Sequence, residues 1–214
     1  MNELDAKRNN VVLDLDGTLL DSRRRHVVVL TDCINQINGA AYTPDDFHDF
    51  VSYKSEGHTG LSYLKDKKIP NEEAIISLWI QKIEHKKYLR LDRLYPNVLR
   101  DLEKMNERYD LFLLTARANK GNACWQISEL GIEDFFSDMM VVKSMGNAGL
   151  NKYNAIRSIP LHFVIGDTET DLALANYSKC DFFPLNYGFR SAGYWRKQGL
   201  KSYNSIHKII TTQL

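Results

Sequence analysis

The sequence predicts a doubly wound α/β fold, a five-stranded parallel Rossmann-like sheet with a small all-helical cap domain. Two observations carry that expectation. Five short apolar runs recur along the chain with helix-patterned stretches between them. The interval from residue 21 to residue 94 shows only helical patterns and no convincing strand.

The first run is Val11-Val12-Leu13-Asp14-Leu15, apolar and β-branched at its start. Leu111–Leu114, Met139–Val142, His162–Ile165 and Asp181–Pro184 follow. Continuous apolar runs of this length fit strands covered on both faces, as in a parallel sheet. Between them, Val98, Leu99, Leu102 and Met105 mark one face of a helix over Pro96–Arg108. Ala123, Cys124, Ile127 and Leu130 do the same for Lys120–Leu130, with Gly131 as its cap. Lys152–Ile159, Glu169–Tyr177 and Ser205–Thr212 complete the core helices. In the interval, Val27, Leu30, Ile34 and Ile37 recur at helical spacing, and Thr43-Pro44-Asp45-Asp46 reads as a helix start. Asn71-Glu72-Glu73 opens a further helix bearing Ile75, Leu78, Trp79 and Ile83. The expected division is therefore 1–20 and 95–214 for the α/β core, with 21–94 as a helical cap inserted after the first strand.

Composition narrows the function. The 214 residues are 43% hydrophobic and 26% charged, with a formal net charge of +1, so no global field draws the chain to nucleic acid or an anionic membrane. Cys33, Cys124 and Cys180 are odd in number and widely spaced, which suggests reduced thiols rather than a disulfide framework or a zinc knuckle. The N-terminus carries no apolar stretch of signal-peptide length, and no segment reaches membrane-spanning length, so the chain reads as cytoplasmic.

Three polar clusters end three of the apolar runs: Asp14, Asp16, Gly17 and Thr18; Thr115, Ala116 and Arg117; Gly166 to Asp171. Parallel strands bring such ends to one rim, where open α/β sheets place their sites. Asp14 and Asp167 could share a hard cation, because carboxylate oxygens suit magnesium. Gly17 lets the backbone approach an anion, and Thr115 can donate a hydroxyl to a phosphate oxygen. Asp16, two residues from Asp14, faces the same ligand only if the chain turns there.

The Asp-x-Asp-Gly-Thr run with its four apolar positions Val11, Val12, Leu13 and Leu15, then Leu113-Leu114-Thr115, and Gly166-Asp167-Thr168-Glu169-Thr170-Asp171 resemble, in order, the motifs of the haloacid dehalogenase superfamily. The capped phosphatases of that superfamily, phosphoglycolate phosphatase-like, are the members it looks most like. The resemblance implies a magnesium-dependent hydrolase of a small phosphorylated metabolite. Asp14 would be the nucleophile, and Asp16 the acid and base that also lends its carbonyl to the metal. Asp167 would be a third metal ligand, with Asp171 supporting the metal site or the lysine. Thr115 would hold the phosphoryl group. Lys152 is the expected phosphate-binding lysine and Lys143 the runner-up. Gly17 and Arg117 join Thr115 and Lys152 on the expected substrate-binding side.

The dehalogenases and the phosphonate-cleaving members lack the second aspartate, so Asp16 speaks against both reactions. A phosphomutase of sugar phosphates, or a non-catalytic binding protein on the same fold, are the alternatives. Monomer and homodimer are both open. Arg23, Arg24 and Arg25 could attract a phosphorylated substrate or solvate a helix. Lys54, Glu56 and His58 around Gly57 could form a specificity turn, and Gly188–Ser191 reads as a plain turn.

Overall fold

The computed structural model describes residues 9–213. Residues 1–8, on which part of the signal-peptide reading and the start of the expected core segment fall, lie outside the described residues. In chain order the first elements are strand β1 (Asn9–Leu13), strand β2 (Leu20–Asp21) and helix α1 (Arg23–Asn38). Helices α2 (Phe50–Ser55), α3 (Gly60–Asp66), α4 (Glu72–Lys82) and α5 (Lys86–Leu89) follow. Next come β3 (Arg93–Leu94), α6 (Val98–Asn106), β4 (Tyr109–Ala116), α7 (Lys120–Glu129), β5 (Asp138–Val142) and α8 (Ala148–Ile156). The chain closes with β6 (Leu161–Gly166), α9 (Glu169–Ser178), β7 (Asp181–Pro184), α10 (Ala192–Lys197) and α11 (Ile206–Gln213).

Five strands form one parallel sheet in the order β5-β4-β1-β6-β7. The strand period of two divides its side chains between two cores. Val11, Leu13, Leu111, Leu113, Phe163 and Ile165 bury on one face with residues of α6 and α11. Val12, Phe112, Leu114 and Val164 bury on the other with Ile156, Leu174 and Ala175. A third apolar cluster is drawn wholly from residues 29–88, from Val29 and Leu30 through Phe50 and Tyr63 to Tyr88. Burying each such side chain contributes about 1.5–3 kcal/mol, so this segment carries a core of its own.

Several elements differ from the sequence reading. Two strands do stand at the ends of the helical interval: β2 pairs antiparallel with β3, Leu20 opposite Leu94 and Asp21 opposite Arg93. Strands of two residues leave no periodicity to read, and their pairing is long-range. The helix expected at Thr43 is a 3-10 turn, Pro44–Phe47, in which the Asp46 carboxylate accepts from Thr43 N at 2.7 Å. The helix carrying Lys152 begins a turn earlier than expected, because the Asn147 side chain caps it by accepting from Leu150 N at 3.0 Å. Gly146 and Gly149 disguised that start as a loop. Gly149 is where α8 meets α9: a Cβ there would lie 2.6 Å from Ala173 Cβ. Among the described residues, no helix is long and apolar enough to cross a membrane. All three cysteines are free.

Candidate active site

The site lies where β1, β4 and β6 end. Asp14 N donates to Ile165 O at 3.1 Å, which keeps the chain after β1 in the sheet plane for one more residue. The chain then turns. Gly17 adopts φ +78, Gly17 N donates to Leu20 O at 2.8 Å, and Leu19 N and Leu20 N both donate to Leu15 O at 2.9 Å. A Cβ at Gly17 would stand 2.1 Å from Asp167 Oδ2, so both the left-handed backbone and the close approach demand glycine.

Lys152 is 2% exposed and donates to Asp14 Oδ1 and Asp171 Oδ1, each at 2.6 Å. Asp171 also accepts on Oδ2 from Thr168 N at 3.1 Å and Thr168 Oγ1 at 2.9 Å. Its oxygens are thus committed to the lysine and to the start of α9. Asp167 accepts from Phe189 N on Oδ2 at 2.5 Å, while its buried Oδ1 has no hydrogen-bond partner. Asp14, Asp167 and Asp171 each offer an oxygen within 4.8 Å of the others. Hard oxygen donors, one of them buried and unpaired, fit a divalent cation. Asp14 and Asp167 are the pair best left to face it. Thr115 is buried at the end of β4, beside β1 on the same rim. Lys143 is exposed just past β5, and its carbonyl accepts from Asn151 Nδ2 at 2.9 Å.

Arg117 is neither a surface residue nor open to a ligand on all sides. It is 4% exposed and grips Asp16 through two bonds, Nε to Oδ2 at 2.6 Å and Nη2 to Oδ1 at 2.8 Å. Arg25 does not solvate α1; it is buried and donates from Nη2 to the same Oδ1. Arg23 pairs with Asp21, and Arg24 is exposed. Of the expected specificity turn, only Lys54 turns inward, with Nζ 3.3 Å from His26 Nδ1 and against the faces of Phe50, Trp79 and Phe189. Glu56 binds Ser191 Oγ at 2.5 Å, and His58 packs on Tyr53. The Gly188–Ser191 segment is more than a plain turn. Phe189 N holds Asp167, and Arg190 spans Glu169 Oε1 at 2.8 Å and Lys54 O at 2.9 Å. A cavity of about 250 Å³ opens beside Asp16, walled by Arg25, His26, Trp79, Ile83, Arg117 and Phe189 among others.

Asp92, Gln126 and Glu84 also meet this region, and the sequence reading passed over all three. Glu84 accepts from Ala118 N at 2.9 Å and Asn119 N at 2.7 Å. No local spacing links these residues to the motifs, and the contacts of Glu84 with Ala118 and Asn119 and of Asp92 with Gln126 are long-range.

The electrostatics are divided. Burial raises Asp14 to about 7 against the pull of Lys152, with Asp171 and Asp16 adding to the rise. Burial, Asp14 and Asp171 hold Asp167 well above the usual carboxylate range. Burial lifts Asp92 to about 6. Burial would raise Asp16 too, but Arg117 and Arg25 outweigh it and hold it at about 2. Burial and Lys54 keep His26 neutral, well below its ordinary 6.5.

For metal-free protein this has a consequence for stability. Asp14, Asp92 and Asp167 bind protons more tightly folded than unfolded, so folding gains stability as pH falls from about 7 toward 4. His26 opposes that gain, because only the unfolded imidazole charges near 6.5, and Lys54, lowered by burial to about 8, opposes it at the alkaline end, but these are two groups against three. Below about pH 4 the depressed Asp16 works the other way, and its stabilisation is lost as it protonates. The melting temperature in chelator should therefore rise from about pH 8 to about pH 5 and fall again below about pH 4. A steady decline on acidification from pH 8 would contradict these assignments.

The sequence profile described as haloacid dehalogenase-like hydrolase matches residues 11–183. No curated protein matches the chain. Solved structures do. A haloacid dehalogenase-like family hydrolase from Streptococcus pneumoniae superposes with TM-score 0.69 at 18% identity, covering 97% of this chain and 99% of that one. A predicted phosphatase from Clostridium acetobutylicum gives 0.71 at 17%, covering 96% and 98%. A predicted phosphoglycolate phosphatase from Haemophilus somnus gives 0.68 at 18%, covering 97% and 98%. At these identities the likeness establishes a shared fold.

Proposed function

Because this chain belongs to the haloacid dehalogenase-like hydrolases, we propose that it is a magnesium-dependent phosphatase of small phosphomonoesters acting through an aspartyl-phosphate at Asp14. The observation that carries this reading is Lys152, a buried ammonium bridging Asp14 and Asp171 beside the unpaired oxygen of Asp167. A lysine there neutralises some of the charge that a phosphoryl group adds to three carboxylates. The names of the phosphatases with the same fold point the same way.

In the proposed reaction an Asp14 oxygen attacks phosphorus in line as the alcohol departs. Lys152 and Thr115 hold the phosphoryl oxygens. Magnesium, held by Asp14, Asp167 and the Asp16 carbonyl, would supply charge neutralisation at the phosphoryl group. Asp16 gives a proton to the departing oxygen and later takes one from the attacking water. The two arginines favour its ionised form, and the charge of an arriving phosphoryl group opposes their pull. Residues 21–94 would act as the cap, with Lys54 reaching substrate from that side. The Arg190 bond to Lys54 O and the Glu56 bond to Ser191 tie this segment to the rim, a closed arrangement that keeps water out. Arg117, expected among substrate contacts, holds Asp16 through Nε and Nη2 and keeps Nη1 unpartnered on the cavity wall, where it would meet substrate. The balanced charge fits a cytoplasmic setting, with monomer and homodimer both compatible.

Phosphate release from a broad panel of phosphomonoesters, with and without chelator, tests this reading. At least one ester should turn over, lose activity in chelator and regain it with magnesium. A flat panel, turnover indifferent to magnesium, or conversion to an isomeric phosphate without release would overturn it.

A further inference from the structure

Four buried polar side chains form a ring with the half-buried Asp16. Arg117 grips Asp16 with Nε and Nη2, and Nη2 also donates to Gln126 Oε1 at 3.0 Å. Gln126 Nε2 donates to Asp92 Oδ2 at 2.7 Å and Leu89 O at 2.9 Å. Asp92 Oδ1 stands 3.2 Å from Arg25 Nε, and Arg25 Nη2 returns to Asp16. The Gln126 amide has one workable orientation: reversed, its NH2 would face the guanidinium of Arg117. Two guanidiniums balance two carboxylates. Removing four charges from water is costly, and well-packed apolar side chains would often serve packing as well or better. The ring also joins distant parts of the chain: Arg25 and Asp92 flank the β2–β3 ribbon, while Gln126 sits on α7.

A carboxylate has about four acceptor sites. The arginines fill two on Asp16 Oδ1 and one on Oδ2. One site on Oδ2 is left, on a residue that lines the cavity. We infer that Asp92 and Gln126 are positioning residues that act through Arg25 and Arg117 to aim this remaining Asp16 site at the hydrolytic water. In that half-reaction water oxygen attacks phosphorus, the bond to Asp14 breaks, Asp14 regains its carboxylate, and the water proton passes to Asp16. The inference rests on the proposed role of Asp16 in an aspartyl-phosphate mechanism.

The test is steady-state and quenched-flow kinetics on p-nitrophenyl phosphate, whose good leaving group makes phosphoenzyme breakdown the demanding step. Asp92→Asn and Gln126→Leu should lower kcat about tenfold or more and leave kcat/KM within about twofold, with phosphorylated enzyme accumulating. An equal fall in both constants, the signature of a merely structural role, would overturn the inference. So would an unchanged breakdown rate. Asp16→Asn separates the two levels. If it fails to accumulate phosphoenzyme, the role of Asp16 fails and the inference with it. If it accumulates phosphoenzyme while Asp92→Asn and Gln126→Leu do not, the inference alone fails.

Discussion

Asp14→Asn should reduce phosphomonoester turnover by at least about 10³-fold, about 4 kcal/mol of lost transition-state stabilisation. The amide is isosteric with the carboxyl but is no nucleophile toward phosphorus. The loss should not come from unfolding. Asp14 is a carboxylate that burial and two neighbouring aspartates push toward its protonated form, so a neutral amide relieves that cost. Lys152 keeps Asp171 at 2.6 Å as a counter-charge. The metal-free variant should thus melt at or above the wild-type temperature at neutral pH. A folded Asp14→Asn enzyme with near wild-type kcat would remove the nucleophile from the mechanism.

Lys152→Met should be nearly as damaging, and differently. Removing one partner of a buried ion pair costs about 3–5 kcal/mol where the remaining charges cannot be solvated. Here Asp14, Asp167 and Asp171 lose the cation among them. Part of that cost is relieved because the carboxyls take up protons, so destabilisation should be larger at pH 8 than at pH 5. Turnover should fall by about 10²-fold or more, since the charge opposing the phosphoryl group is gone. Magnesium affinity should hold or rise, because the site has become more negative. Calorimetric titration with magnesium beside an activity assay reads both. Loss of magnesium binding in a folded Lys152→Met protein would mean that the lysine supports the metal rather than the phosphoryl group.

The sheet was legible because its signal is local. Each of the five apolar runs became a strand, since a parallel strand buried on both faces must be apolar throughout. The rim followed from connectivity, so Asp14, Thr115 and Asp167 could be placed together from their positions at strand ends. What stayed hidden is pairing between distant residues. The β2–β3 ribbon is two residues per strand. Asp92 and Gln126 lie 34 positions apart and touch only because α7 packs against α5, just ahead of the ribbon. Arg117 was expected beside substrate and Arg25 either beside substrate or on the surface of a helix, and only the fold shows that Asp16 draws both guanidiniums onto itself. The α8 start was masked by glycines that serve helix packing rather than a loop.

The central claim is covalent: phosphate passes through Asp14. Acid-quenching the enzyme during turnover of a labelled phosphomonoester, reducing the acyl phosphate with borohydride and sequencing the peptides by mass spectrometry reads this directly. The account predicts homoserine at position 14 and nowhere else, in proportion to trapped label. Active turnover with an unmodified Asp14, or with the label on another residue, would contradict it.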